Sequence, residues 1–93
     1  MAIALLFEPK AGADAQYDST INVLKAQGNW PPDGMTYHLA FGTGADFKVL
    51  EVWESEEHAR KFGERLMPIL QQHKIELSRV PKPQPVKNII KGK

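Results

Sequence analysis

Cysteine is absent from this chain, which removes disulfides, thiolate metal ligands and a cysteine nucleophile together. A reducing compartment is therefore allowed. Long apolar runs are missing as well: the run near the start, Ala2 to Phe7, has no basic residue before it and is closed by Glu8. A signal peptide needs a longer apolar stretch with a positive flank, and a membrane span needs ~20 residues. The expected location is cytoplasmic, with no membrane as partner. Charge of one sign is also scarce, since twelve Lys and Arg stand against eleven Asp and Glu for a net +1. So small an excess does not make nucleic acid the default partner. No repeat or low-complexity tract occurs. The one glycine-rich tripeptide, Gly42-Thr43-Gly44, lies between two strand-like runs and opens no helix, so it is not a phosphate cradle.

What is present is one small domain's worth of chain: 93 residues, 42% hydrophobic and 25% charged. A domain of this size buries roughly 60 to 68% of its unfolded surface. The core is thin, and a partner chain is expected from the start.

Ala2 to Glu8, rich in Ile, Leu and Phe and stopped by Pro9 and Gly12, reads as a buried strand. Asp14 to about Gln27 places Tyr17, Ile21 and Leu24 at helical spacing, an apolar stripe that makes Tyr17 a core residue, and Gly28 ends it. Asn29 to Gly34 is a proline-rich loop in which Trp30 is either a lid or a loop anchor. Met35 to Phe41 and Phe47 to Trp53 form a hairpin across a short glycine-containing connection. Ser55 caps a helix whose first turn carries Glu56 and Glu57, where carboxylates complement the helix dipole. Its stripe runs through Ala59, Phe62, Leu66, Ile69 and Leu70, with a kink or break expected at Pro68 and a brief continuation to His73. Ile75 to Val80 is expected to be the fourth strand. Residues 1–80 then make one ferredoxin-like domain, and 81–93 make a Pro- and Lys-rich arm with a short strand expected at 86–90. Five of the twelve basic residues and none of the acidic ones lie in 79–93, leaving −4 on the body. The tail is either a solvated segment drawn to that body or an arm for a polyanion.

Strand, helix, strand, strand, helix, strand is the split βαβ order of an α+β, ferredoxin-like βαββαβ fold with both helices on one face of an antiparallel sheet. The other face needs a cover. A second copy of the same sheet is the simplest one, so a homodimer is expected.

The segment Val52-Trp53-Glu54-Ser55, with Phe62 and Leu66-Met67-Pro68 after it, resembles the dimeric α+β barrel superfamily, and within it the small proteins related to antibiotic biosynthesis monooxygenases. The resemblance covers residues 2 to 90. It implies a dimeric α+β barrel with a ligand pocket in its lumen. It also implies a range of activities that includes cofactor-independent oxygenases, isomerases and haem-degrading enzymes. The last do not fit: the first strand carries no Asn, Phe62 stands where that activity uses Trp, and His73 matches the expected His only with an offset.

The hairpin sorts the faces independently. A four-residue loop, Thr43 to Asp46, sets Ala40 opposite Val49, His38 opposite Glu51 and Thr36 opposite Trp53, all on one face with Phe47. Tyr37, Leu39, Phe41, Leu50 and Val52 then fall on the other, more uniformly apolar face, which suits packing under the helices. A five-residue loop is the alternative register, and it segregates polar from apolar less cleanly. On the first register His38 and Glu51 are the candidate catalytic pair, because a carboxylate beside an imidazole orients the ring for proton transfer. Thr36, Phe47, Val49 and Trp53 are the candidate ligand-binding residues. The competing readings are that His38 and Glu51 only satisfy one another at an interface, and that Trp53 only packs. His58 is expected to be exposed. With three histidines on three different elements, no metal site is expected, and no cofactor. The expected function is a dimeric barrel binding a small apolar or aromatic ligand. A cofactor-independent monooxygenase or isomerase, and a ligand-free assembly module, are the alternatives.

Overall fold

Apolar, partly β-branched sequence at Ile3–Phe7 forms strand β1, and the chain leaves it at Pro9, which has no N–H to continue a ladder. The structure, a computed structural model, describes residues 1–92. Helix α1 spans Asp14–Gln27. Its first turn lacks a side-chain cap, and Asp14 instead accepts a hydrogen bond from the Gly44 N–H at 2.9 Å, tying the helix to the hairpin loop. Gly28, at φ +88°, ends it. The open carbonyls at that end are taken by Arg65, whose guanidinium reaches the carbonyl oxygens of Leu24, Gly28 and Asn29.

Strands β2, Met35–Phe41, and β3, Lys48–Trp53, are joined through a single 3-10 turn at Gly44–Asp46. Gly42 is required in this hairpin, because its φ is +82° and a Cβ there would lie 2.3 Å from the Asp46 carbonyl oxygen. Helix α2, Glu56–Gln72, starts at Ser55, whose hydroxyl accepts from the His58 N–H at 3.2 Å. Of the kink or break expected at Pro68, the break does not occur: α2 runs through it to Gln72. Pro68 is exposed, while Ile69 and Leu70 beyond it are buried in the core, so packing holds the last turn despite the hydrogen bond forfeited to Glu64.

The strands make one open antiparallel sheet in the order β2-β3-β1-β4, with both helices on one face. This α+β arrangement is compatible with a ferredoxin-like fold. The fourth strand departs from expectation. Ile75 to Val80 contributes an isolated bridge between Pro9 and Leu77, with the Ser78 N–H on the Glu8 carbonyl and the Lys10 N–H on that of Glu76. Regular pairing with β1 comes at β4, Gln84–Pro85, opposite Ile3 and Ala4. Prolines at 81 and 83 remove the donors that a continuous strand would need, so the edge is built in two pieces. Val86 donates to the Ala2 carbonyl at 3.0 Å, and 86–90 forms no regular strand. The last of the tail's basic residues, Lys93, lies outside the described residues.

The assignment of faces is the second departure. Ile3, Leu24, Trp53, Phe62, Leu66, Ile69 and Leu70 form the core between sheet and helices, so Trp53, Glu51 and Phe47 lie on the helix-covered face, not the open one. Leu6, Tyr37, Leu39 and Phe41 face away from the helices at 39 to 47% exposure. The helix-covered face carries Trp53, the largest side chain of the hairpin, which has no exposed surface there. That face also gives the polar groups their donors.

Candidate functional site

His38 sits on β2 directly across from Glu51 on β3, as the four-residue loop expects. Leu39 and Leu50, and Ala40 and Val49, pair in the same register. The register shifts nearer the open end of the hairpin, where Met35 rather than Thr36 lies opposite Trp53. Thr36 bulges out, is exposed and turns its hydroxyl to the Val52 carbonyl at 3.1 Å. It takes no part in the site.

The paired side chains meet: His38 Nδ1 lies 3.0 Å from Glu51 Oε2. Glu51 is only 3% exposed, and its other oxygen, Oε1, accepts from the Trp53 indole N–H at 3.2 Å. On the far side of the imidazole, His38 Nε2 lies 2.7 Å from the Tyr17 hydroxyl. One line of hydrogen bonds thus runs from Trp53 through Glu51 and His38 to Tyr17, across β3, β2 and α1. Among the described residues no buried side-chain polar atom lacks a partner. Hydrogen-bond chemistry orders the protons. An indole N–H only donates, so Oε1 is an acceptor; with the carboxylate ionised and the imidazole neutral, Nδ1–H donates to Oε2 and Nε2 receives the Tyr17 O–H.

Aromatic rings fix this line laterally. Tyr17 stacks on His38 at 6.0 Å and meets Phe47 edge-on at 5.6 Å. Trp30 stands edge-on to His38 at 5.9 Å and against Phe62 at 6.2 Å, which makes it a wall of the site and resolves its role toward anchorage. Trp53 has no exposed surface and packs on Phe62 at 5.3 Å. It holds Glu51 and offers no surface for stacking a ligand. Burial, followed by the charges of Glu51 and Asp18, pushes the Tyr17 phenol above its ordinary value.

These residues close one end of a cavity of about 70 Å³ between the sheet and the helices. Phe47 and Val49 line it as expected, with Phe7, Leu24, Phe62 and Leu70 completing an apolar wall. Phe7, Glu51, Phe62 and Leu66 also border an open groove of about 510 Å³ between α2 and the prolines at 81 and 83. His58 lies outside the site: its ring bonds to the Ser55 hydroxyl at 2.6 Å and packs over Gly34.

Residue spacing did not bring out Tyr17 as a site residue. It shares a stripe with Ile21 and Leu24, and only the packing of α1 over β2 shows that its hydroxyl meets His38. No protein-family model matches the chain, and no curated protein matches it. The reading of the site therefore rests on its geometry.

Proposed function

We propose that this chain binds a small, mostly apolar ligand in the cavity between sheet and helices, with the Tyr17–His38–Glu51 line as its polar contact. The observation that carries the reading is a mostly apolar lining that meets a fully connected polar line at Tyr17, His38 and Glu51. Such a site takes up a compact hydrophobic molecule and orients it by one hydrogen bond. At about 70 Å³ the cavity takes a short chain or one small ring. In this reading the pocket lies within the chain, not in the lumen between two sheets, although the uncovered sheet face still supports a homodimer as the assembly.

The directional hydrogen-bond line favours a second reading, in which the site moves a proton as a cofactor-independent oxygenase or isomerase requires. A carboxylate that fixes an imidazole tautomer and leaves its other nitrogen facing a hydroxyl is an arrangement for general-base work. This includes the activity implied by the resemblance to antibiotic biosynthesis monooxygenases.

Trp30 and Trp53 lie against the site and serve as its intrinsic probes. In a screen of small apolar molecules followed by tryptophan fluorescence, His38→Ala should abolish the response, while His58→Ala leaves it intact and changes only stability. Equal responses in both variants would remove the cavity as the binding site.

A further inference from the structure

We propose that Tyr17 is the residue that meets the ligand, and that Glu51, acting through the tautomer of His38, restricts the site to neutral molecules carrying an O–H or N–H. The inference rests on the cavity being a ligand site, as proposed above. It adds which atom makes the contact and what the ligand must offer.

The Tyr17 hydroxyl has one proton and lone pairs on its oxygen. In the neutral imidazole, Nδ1–H donates to Glu51 Oε2 at 3.0 Å, which leaves Nε2, 2.7 Å from the Tyr17 oxygen, to take the phenol proton. The indole N–H on Oε1 at 3.2 Å holds the carboxylate in its accepting role. What Tyr17 presents to the cavity is therefore an acceptor with no proton to give. A ligand that only accepts, such as a ketone or an ether, meets lone pairs. A ligand with a hydroxyl or an N–H donates to them. An anion is disfavoured in an apolar cavity bordered by the Glu51 charge. By volume, about 70 Å³ admits roughly four to six heavy atoms.

The same logic states what reverses the preference. In Glu51→Gln one side-chain oxygen becomes an NH2 group. The amide oxygen stays on the Trp53 indole N–H, since an NH2 there would set donor against donor. The NH2 then faces His38 Nδ1, which must become an acceptor, and the ring proton moves to Nε2. Nε2–H donates to Tyr17, the phenol proton turns toward the cavity, and the site selects acceptors.

Isopropanol and acetone are near-isosteres that differ in this respect. In the wild-type protein, ¹⁵N chemical shifts of the His38 ring should show a proton on Nδ1 and a free Nε2, and isopropanol should bind about tenfold more tightly than acetone, read from shifts of the His38 and Tyr17 signals. In Glu51→Gln the ring tautomer and the order of the two ligands should both invert, which a merely structural role for Glu51 does not produce. Tyr17→Phe, which keeps the ring and its packing, should bind both weakly with no preference. Equal binding of the two molecules to the wild type, or a proton on Nε2, would overturn the inference while leaving the cavity as a ligand site. Binding of neither would overturn both.

Discussion

Tyr17 and Tyr37 are the two tyrosines of the chain, and they sit in opposite surroundings. Tyr37 is 47% exposed on the uncovered sheet face, whereas Tyr17 is half-buried against His38 and Phe47. Burial first, then Glu51 and Asp18, raises the Tyr17 pKa above 10, because a phenolate there would lose water and face two carboxylates. Below pH 10 the phenol is neutral in folded and unfolded chains alike, so its contribution to stability is complete. Above that, the unfolded chain ionises first and stability falls as pH rises through the folded value. An ultraviolet titration of the folded protein should show one tyrosine ionising late, and Tyr17→Phe should delete that component and flatten the alkaline loss of stability. A single transition near pH 10, unchanged by the substitution, would contradict the burial of Tyr17.

At the scale of elements, two glycines on or against α2 have opposite meanings. Gly63 lies in the middle of the helix with nothing within 4 Å of the position its Cβ would occupy. Gly63→Ala should stabilise the protein by about 0.5 to 1 kcal/mol, a rise of several degrees in Tm for a domain of this size. Gly34 has φ +85°, and a Cβ there would fall 2.4 Å from His58 Cγ. Gly34→Ala should lower Tm by at least as much as Gly63→Ala raises it, through both backbone strain and the displaced imidazole. Thermal melts of the pair check both signs.

Local pattern was sufficient for the elements themselves. The α1 end follows from Gly28 and the α2 start from Ser55, because caps act over a few residues. The His38–Glu51 pairing was legible from loop length for the same reason. The face that meets the helices was not. His38 and Glu51 read as out of place in a core, and only the arrival of Tyr17 from α1, together with Trp53 two residues along β3, makes their burial favourable. The fourth strand was misplaced because Ile75 to Val80 has a strand's composition, while the partner positions on β1 and the prolines after it decide where pairing occurs. Lys10 and Glu76, 2.9 Å apart, and Glu8 and Arg79, 2.8 Å apart, fasten that segment by its ends instead.

For the whole molecule, Leu6, Tyr37, Leu39 and Phe41 form a half-exposed apolar patch on the face opposite the helices. The proposed homodimer covers it on both copies by one two-fold contact. Each of these side chains has about 1 kcal/mol left to gain from burial. Sedimentation at micromolar concentration should give about twice 10.4 kDa. Leu39→Glu, at a position that supports no core contact, should return the mass to that of one chain with the circular dichroism unchanged. A wild-type protein that sediments as a single chain would leave the patch without this cover. Within one chain, β4 pairs with β1.

The two ends of the sheet differ in their capacity to recruit further strands. At the β4 edge, pairing is broken into a bridge at Leu77 and two residues at Gln84–Pro85, with prolines supplying no donors, so an incoming strand finds no continuous ladder to copy. At the other edge β2 runs for seven residues without a proline and without Asp, Glu, Lys or Arg. Growth of a fibril by strand addition needs two competent edges on every molecule, one to join and one to offer. This chain has one. Edge-to-edge pairing through β2 therefore consumes the only templating surface of both participants and terminates at a pair, so the prolines of the C-terminal segment act as a chain terminator for aggregation.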